Sequence, residues 1–192
     1  FDEWIKLDKV QDQLIISPPL EKSSYEIKPL RGVTKKVFLK FLDSLAPETT
    51  YTINFGNSIQ DNNENNPLTF FSYTFSTGET IDSLYIRGNT KDAFSQESDE
   101  FISLQLYRVD SLFKDSIVFQ DKPTYVANTL DSTNYKFQNL KQGKYLLIAL
   151  KDVDNNYFFD PFYDKIGFID SLITLPRDCL LYTSDAADDC EG

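Results

Sequence analysis

The stretch Thr49-Thr50-Tyr51-Thr52-Ile53-Asn54-Phe55-Gly56, answered by Phe71-Ser72-Tyr73-Thr74-Phe75-Ser76-Thr77-Gly78, decides the fold class. Successive side chains of an extended backbone point to opposite sides of a sheet, so period-two alternation is the signature of a half-buried strand. Tyr51, Ile53 and Phe55 fall on one face, and Thr50, Thr52 and Asn54 on the other. Between the two strands lies the polar loop Asp61-Asn62-Asn63-Glu64-Asn65-Asn66. Outward from this pair, short apolar runs alternate with the turn signals Pro18-Pro19, Pro29, Arg31-Gly32 and Ala46-Pro47. They predict strands at residues 1–5, 13–17, 25–28, 36–41, 51–55 and 71–76.

A second rhythm begins after a junction at residues 77–80. Strands are predicted at 84–88, 101–109, 117–119, 125–127, 135–137, 144–150 and 166–173. Ile102, Leu104 and Leu106 share one face. Tyr145-Leu146-Leu147-Ile148-Ala149-Leu150 is apolar throughout, as a central strand covered on both faces would be.

Two resemblances follow from these residues. Leu45, Pro47, Thr49, Tyr51, Asp61, Asn66, Phe75, Thr77 and Gly78, with Phe1-Asp2-Glu3-Trp4-Ile5 ahead of them, resemble the bacterial Ig-like domain of the type named after an S-layer protein. Arg87-Gly88, Lys91-Asp92-Ala93, Tyr135-x-Phe137-x-Asn139-Leu140 and Gly143-x-Tyr145 resemble the transthyretin-like or carboxypeptidase-regulatory-like β-sandwich. Asn89-Thr90 departs from that family's apolar residue after the glycine. The resemblances imply an all-β chain of two consecutive Ig-like/transthyretin-like β-sandwiches. The first, residues 1–78, would lack its N-terminal strand and expose a sheet edge with apolar core surface. The second would occupy residues 79–176.

Composition excludes several function classes. The chain of 192 residues carries a formal charge of −11 and 15% aromatics. That balance opposes nucleic-acid binding, which needs clustered Lys and Arg against phosphates. Because there is no His, a Ser-His-Asp triad, a Cys-His pair and a His-ligated zinc site are all excluded. No Gly-rich phosphate loop occurs, and the chain is expected not to be an enzyme. No apolar run approaches the roughly 20 residues of a membrane helix. The chain opens at Phe1 within an expected strand and holds no Met, which reads as a fragment. Residues 177–192, with both cysteines (Cys179 and Cys190), break the strand pattern and resemble translated sequencing-adapter read-through. That tail is expected to be non-native.

The best chemical candidate is the segment 152–164. Asp152, Asp154, Asn156 and Asp160 stand at relative positions 1, 3, 5 and 9, the spacing at which a looped backbone offers oxygens to calcium. Tyr157 occupies the place of the usual turn glycine, and Tyr163 that of the bidentate acid, so a weak site is implied. The alternative is a connecting loop whose Asx side chains bond their own backbone. The same alternatives hold for residues 61–66. Tyr157, Phe158, Phe159, Phe162 and Tyr163 form either a packed cluster or an exposed patch for a glycan or protein partner. By resemblance the chain is a cell-surface structural or adhesive module of a bacterial outer-membrane or extracellular lipoprotein of the Bacteroidetes type, with a lipid anchor upstream. Its rivals are a carbohydrate-binding accessory module and the non-catalytic part of a secreted hydrolase.

Overall fold

A computed structural model describes residues 1–69, 71–92, 99–111, 113–114, 116–129 and 133–176. The tail at 177–192 and Ala93 lie outside the described residues. The chain is all-β, built of short antiparallel strands in several small sheets.

The first half contains β1 (Ile5–Leu7), the helical turn α1 (Val10–Gln13), β2 (Ile15–Ser17), β3 (Tyr25–Lys28), β4 (Val33–Thr34), β5 (Phe38–Phe41), β6 (Thr50–Asn54), β7 (Ile59–Asp61) and β8 (Ser72–Ser76). They form sheets in the orders β4-β1-β7, β2-β6-β8 and β3-β5. The apolar face of β6 is the centre of the first core. Tyr51, Ile53 and Phe55 are all nearly inaccessible there and pack with Ile5, Val10, Ile16, Ile27 and Ile59. Removing side chains of that size from water contributes about 1.5–3 kcal/mol each. Tyr51 stacks on Phe75, with 5.6 Å between ring centroids. Beside the edge strands β5 and β8 this core is open. A groove of about 500 Å³ runs there between Leu39, Phe41, Ile53, Phe55, Phe71 and Phe75.

The second half contains β9 (Leu84–Asn89), β10 (Ser103–Arg108), the helical turn α2 (Ile117–Gln120), β11 (Tyr125–Asn128), β12 (Asn134–Leu140), β13 (Gly143–Lys151), β14 (Lys165–Phe168) and β15 (Ile173–Leu175). A sheet ordered β11-β10-β13-β14, with β15 also paired to β13, encloses the second core together with the pair β12-β9. As its unbroken apolar run requires, β13 is covered on both faces. Tyr145 and Leu147 enter the main core, while Leu146 and Ile148 meet Tyr107 and Val118 on the other side. Gly88 sits opposite Tyr135, whose ring lies over it so closely that a Cβ would fall 2.5 Å from the phenol oxygen.

Several expected boundaries move. The strand expected at 1–5 begins only at Ile5, because the ladder to β4 and β7 starts at Ile5 opposite Thr34 and Asp61. Residues 117–119 form a helical turn, not a strand. Three apolar residues carry no period, and here only Val118 is fully buried, with Ile117 packed beside it. The single strand expected at 166–173 is two strands, both paired to β13. Two short strands, β4 and β7, escape the alternation test because two or three residues cannot display a period.

Candidate functional site

The loop between β13 and β14 carries the expected oxygen ligands, and its local hydrogen bonds explain its shape. Asp152 Oδ1 accepts from the Asn156 amide at 3.2 Å, and Oδ2 from the Tyr157 amide at 2.8 Å. Asn156 Oδ1 accepts from Phe158 N at 2.7 Å, and Asp160 Oδ1 from Phe162 N at 2.9 Å. Asp164 clamps both ends, accepting from Val153 N at 3.1 Å and Asp160 N at 2.9 Å. Asp154 projects into solvent. Three of the four expected ligands therefore spend an oxygen on the loop's own amides, in the manner of Asx turns. Among the described residues no group of three or more Asp, Glu, Cys or His is placed to hold a metal ion. The chain takes left-handed turns at Asn155 (φ 53°) and Tyr157 (φ 68°). Tyr157 thus adopts the conformation for which glycine is usual, held by the hydrogen bond its backbone N–H donates to Asp152. The polar loop at 61–66 is built the same way, with Asp61 Oδ2 accepting from the amides of Asn63 and Glu64, each at 2.6 Å.

The loop's aromatic residues divide. Tyr157 is largely packed, and burial, with Tyr25 and Asp152 nearby, pushes its phenol up to about 12. Phe159 packs on Phe119 with centroids 5.4 Å apart and joins the cluster of Tyr107, Val118 and Ile148. Phe162 and Tyr163, by contrast, are 88% and 73% exposed, and Phe168 on the adjoining β14 is 73% exposed.

The face of β6 that alternation leaves polar meets the second half of the chain. Asn139 sits at a register shift in β12 with φ 58°. Its Oδ1 accepts from Thr52 Oγ1 at 3.0 Å and Thr74 Oγ1 at 3.2 Å, and its Nδ2 donates to the Asp82 carbonyl at 2.8 Å. Thr50, 2% exposed, donates its hydroxyl to Asp82 Oδ2 at 2.8 Å and accepts from Asp82 N at 3.0 Å. Val126 N donates to Ser17 Oγ at 3.1 Å, Lys122 pairs with Glu21 at 2.6 Å, and Lys141 reaches the Glu48 carbonyl. Sequence reasoning gave Asn139 no role. Its signals were its place in the Tyr135-x-Phe137-x-Asn139-Leu140 motif and the threonine face of β6 and β8, since a row of hydroxyls suits a polar partner as well as water.

Beside this seam lies a cleft of about 620 Å³. One wall is the outer face of β2-β6-β8, and the other is formed by β11 and β12. A second cleft, of about 450 Å³, separates residues 14–25 from the loop at 154–158.

No curated protein and no solved structure matches the chain. Residues 1–77 match the family model of the bacterial Ig-like domain, so the first of the two cores is similar to that module.

Proposed function

We propose that this chain is a non-catalytic structural or adhesive module of a bacterial cell envelope, carried on a lipoprotein of the Bacteroidetes type. The observation that carries the reading is the polar seam, in which Asn139 and Asp82 tie the first β core to the second. A spacer or adhesin must hold its loops at a fixed distance and angle, and hydrogen bonds made by side chains with few rotamers serve that end. The match at residues 1–77 supports it, because bacterial Ig-like domains are generally non-catalytic and typically extracellular or surface-associated. Residues 1–78 serve in this reading as the Ig-like domain and residues 79–176 as a transthyretin-like sandwich. The exposed Phe162 and Tyr163 form a contact point for a surface protein or glycan.

An antibody raised against the purified chain tests this on intact cells expressing its gene. Labelling without permeabilisation, lost after brief treatment with an external protease, is the expected result. Labelling only in permeabilised cells would overturn the envelope assignment. Incorporation of radioactive palmitate tests the lipid anchor separately.

A further inference from the structure

We propose that the 620 Å³ cleft between β2-β6-β8 and β11/β12 binds a neutral glycan. This deepens the adhesive reading by giving it a ligand class. The volume falls in the range of small-ligand sites, and the cleft lies between two cores, where such sites concentrate. Its chemistry is selective. The first wall presents Asn54 and Ser72, the second Asn128, Asn134 and Gln138. Carboxamides and hydroxyls both donate and accept, which matches the dense, uncharged hydroxyls of a sugar. Ile15 adds apolar surface against which the C–H face of a sugar ring packs.

Charge narrows the class further. Among the described residues no acidic side chain lines this cleft, and Lys136 is the one charged residue that does. A cationic ligand finds no counter-charge among them. An anionic glycan finds one lysine against the repulsion of a molecule carrying −11 overall. An extended peptide is a poorer fit. It would need apolar pockets for alternate side chains, and the exposed positions along β12 that face the cleft are Asn134, Lys136 and Gln138.

Isothermal titration of the full chain tests the assignment, with the hexaoses of β-1,4-glucan, β-1,4-mannan, β-1,4-xylan and α-1,4-glucan as neutral probes and hexagalacturonate as the acidic one. At least one neutral hexaose should bind saturably and hexagalacturonate should not. Ser72→Trp, at an exposed position on one wall, should abolish binding by filling the cleft. Gln138→Ala on the other wall should weaken it about tenfold, the effect of removing one well-made polar contact. Circular dichroism and melting temperature should stay those of wild type in both variants. Absence of binding by every neutral hexaose overturns the proposal, as does binding that survives Ser72→Trp or is matched by hexagalacturonate. Selection of peptides from a dodecapeptide phage library by wild type and not by Ser72→Trp would make the occupant polypeptide and overturn the glycan class. None of these results alters the labelling of intact cells, so envelope location and ligand class fail separately.

Discussion

Asn139 concentrates more interaction than any other single polar side chain along the seam. It adopts φ 58°, which asparagine tolerates better than most residues, and its side chain joins β6, β8 and the segment at Asp82. Asn139→Ala removes three hydrogen bonds worth about 0.5–1.5 kcal/mol each and forces a Cβ-bearing residue without local hydrogen bonding into the left-handed region. The expected loss is about 2–4 kcal/mol in urea denaturation. Asn139→Gly loses the same bonds but accepts the backbone angle. It should be less damaging than the alanine by about 1 kcal/mol, and equal losses would show that the backbone angle carries no part of the cost.

At the scale of the element, the loop between β13 and β14 is held by carboxylates that accept from backbone amides. Asp152 accepts two of them, from Asn156 and Tyr157. Asp152→Ala is expected to cost about 1–2 kcal/mol, because two amides lose their acceptor, that of Tyr157 in a part-buried position. The same loss should appear in chelator and in millimolar calcium. A loss seen only with calcium would make a cation the partner of these oxygens. The strands around the loop carry a different signature. Burial raises the phenols of Tyr107 on β10, Tyr125 on β11 and Tyr145 on β13, and pushes Tyr157 in the loop up to about 12. A raised folded value means that the native state holds these protons more tightly than the unfolded chain does. Their contribution is fully present below the ordinary tyrosine value near 10 and is lost as pH rises through the folded values. Stability should therefore fall steeply from pH 10 to 12, by up to about 1.4 kcal/mol per tyrosine per pH unit. Denaturation midpoints across that window check this, and Tyr157→Phe should flatten the slope.

For the whole molecule, the seam decides whether two cores behave as two proteins or one. Thr50, Thr52 and Thr74 from one side meet Asp82 and Asn139 from the other, and Thr50 is buried by the contact. Opening the seam would break these bonds together, so the two cores are expected to unfold in one transition. Thr52→Val with Thr74→Val, which cut two bonds at Asn139 while keeping side-chain shape, should split that transition or broaden it. Scanning calorimetry makes the comparison. Two resolved transitions already in the wild type would show that the seam transmits no cooperativity.

The sequence by itself determined the all-β class, the core face of β6, one of the two buried faces of β10 and the two-sided burial of β13, and it offered Asx turns beside calcium ligation as a reading of the acidic loops. Each of these follows from local rules: the two-residue period of an extended chain, the length of an unbroken apolar run, and the reach of a short carboxylate to its own backbone. It also marked the aromatic loop as a candidate contact, although packing of Tyr157 and Phe159 against exposure of Phe162 and Tyr163 depends on neighbours far along the chain. Only the tertiary structure decided that the polar face of β6 meets the second half of the chain, with Thr50 buried and Thr52 and Asn54 half-buried. A threonine row reads identically whether water or Asn139 satisfies it, because a hydroxyl accepts and donates equally to either. The cleft beside that row belongs to the same class of fact. Asn54 and Gln138 stand eighty-four positions apart in the chain, and nothing local in either segment encodes that the two walls face each other.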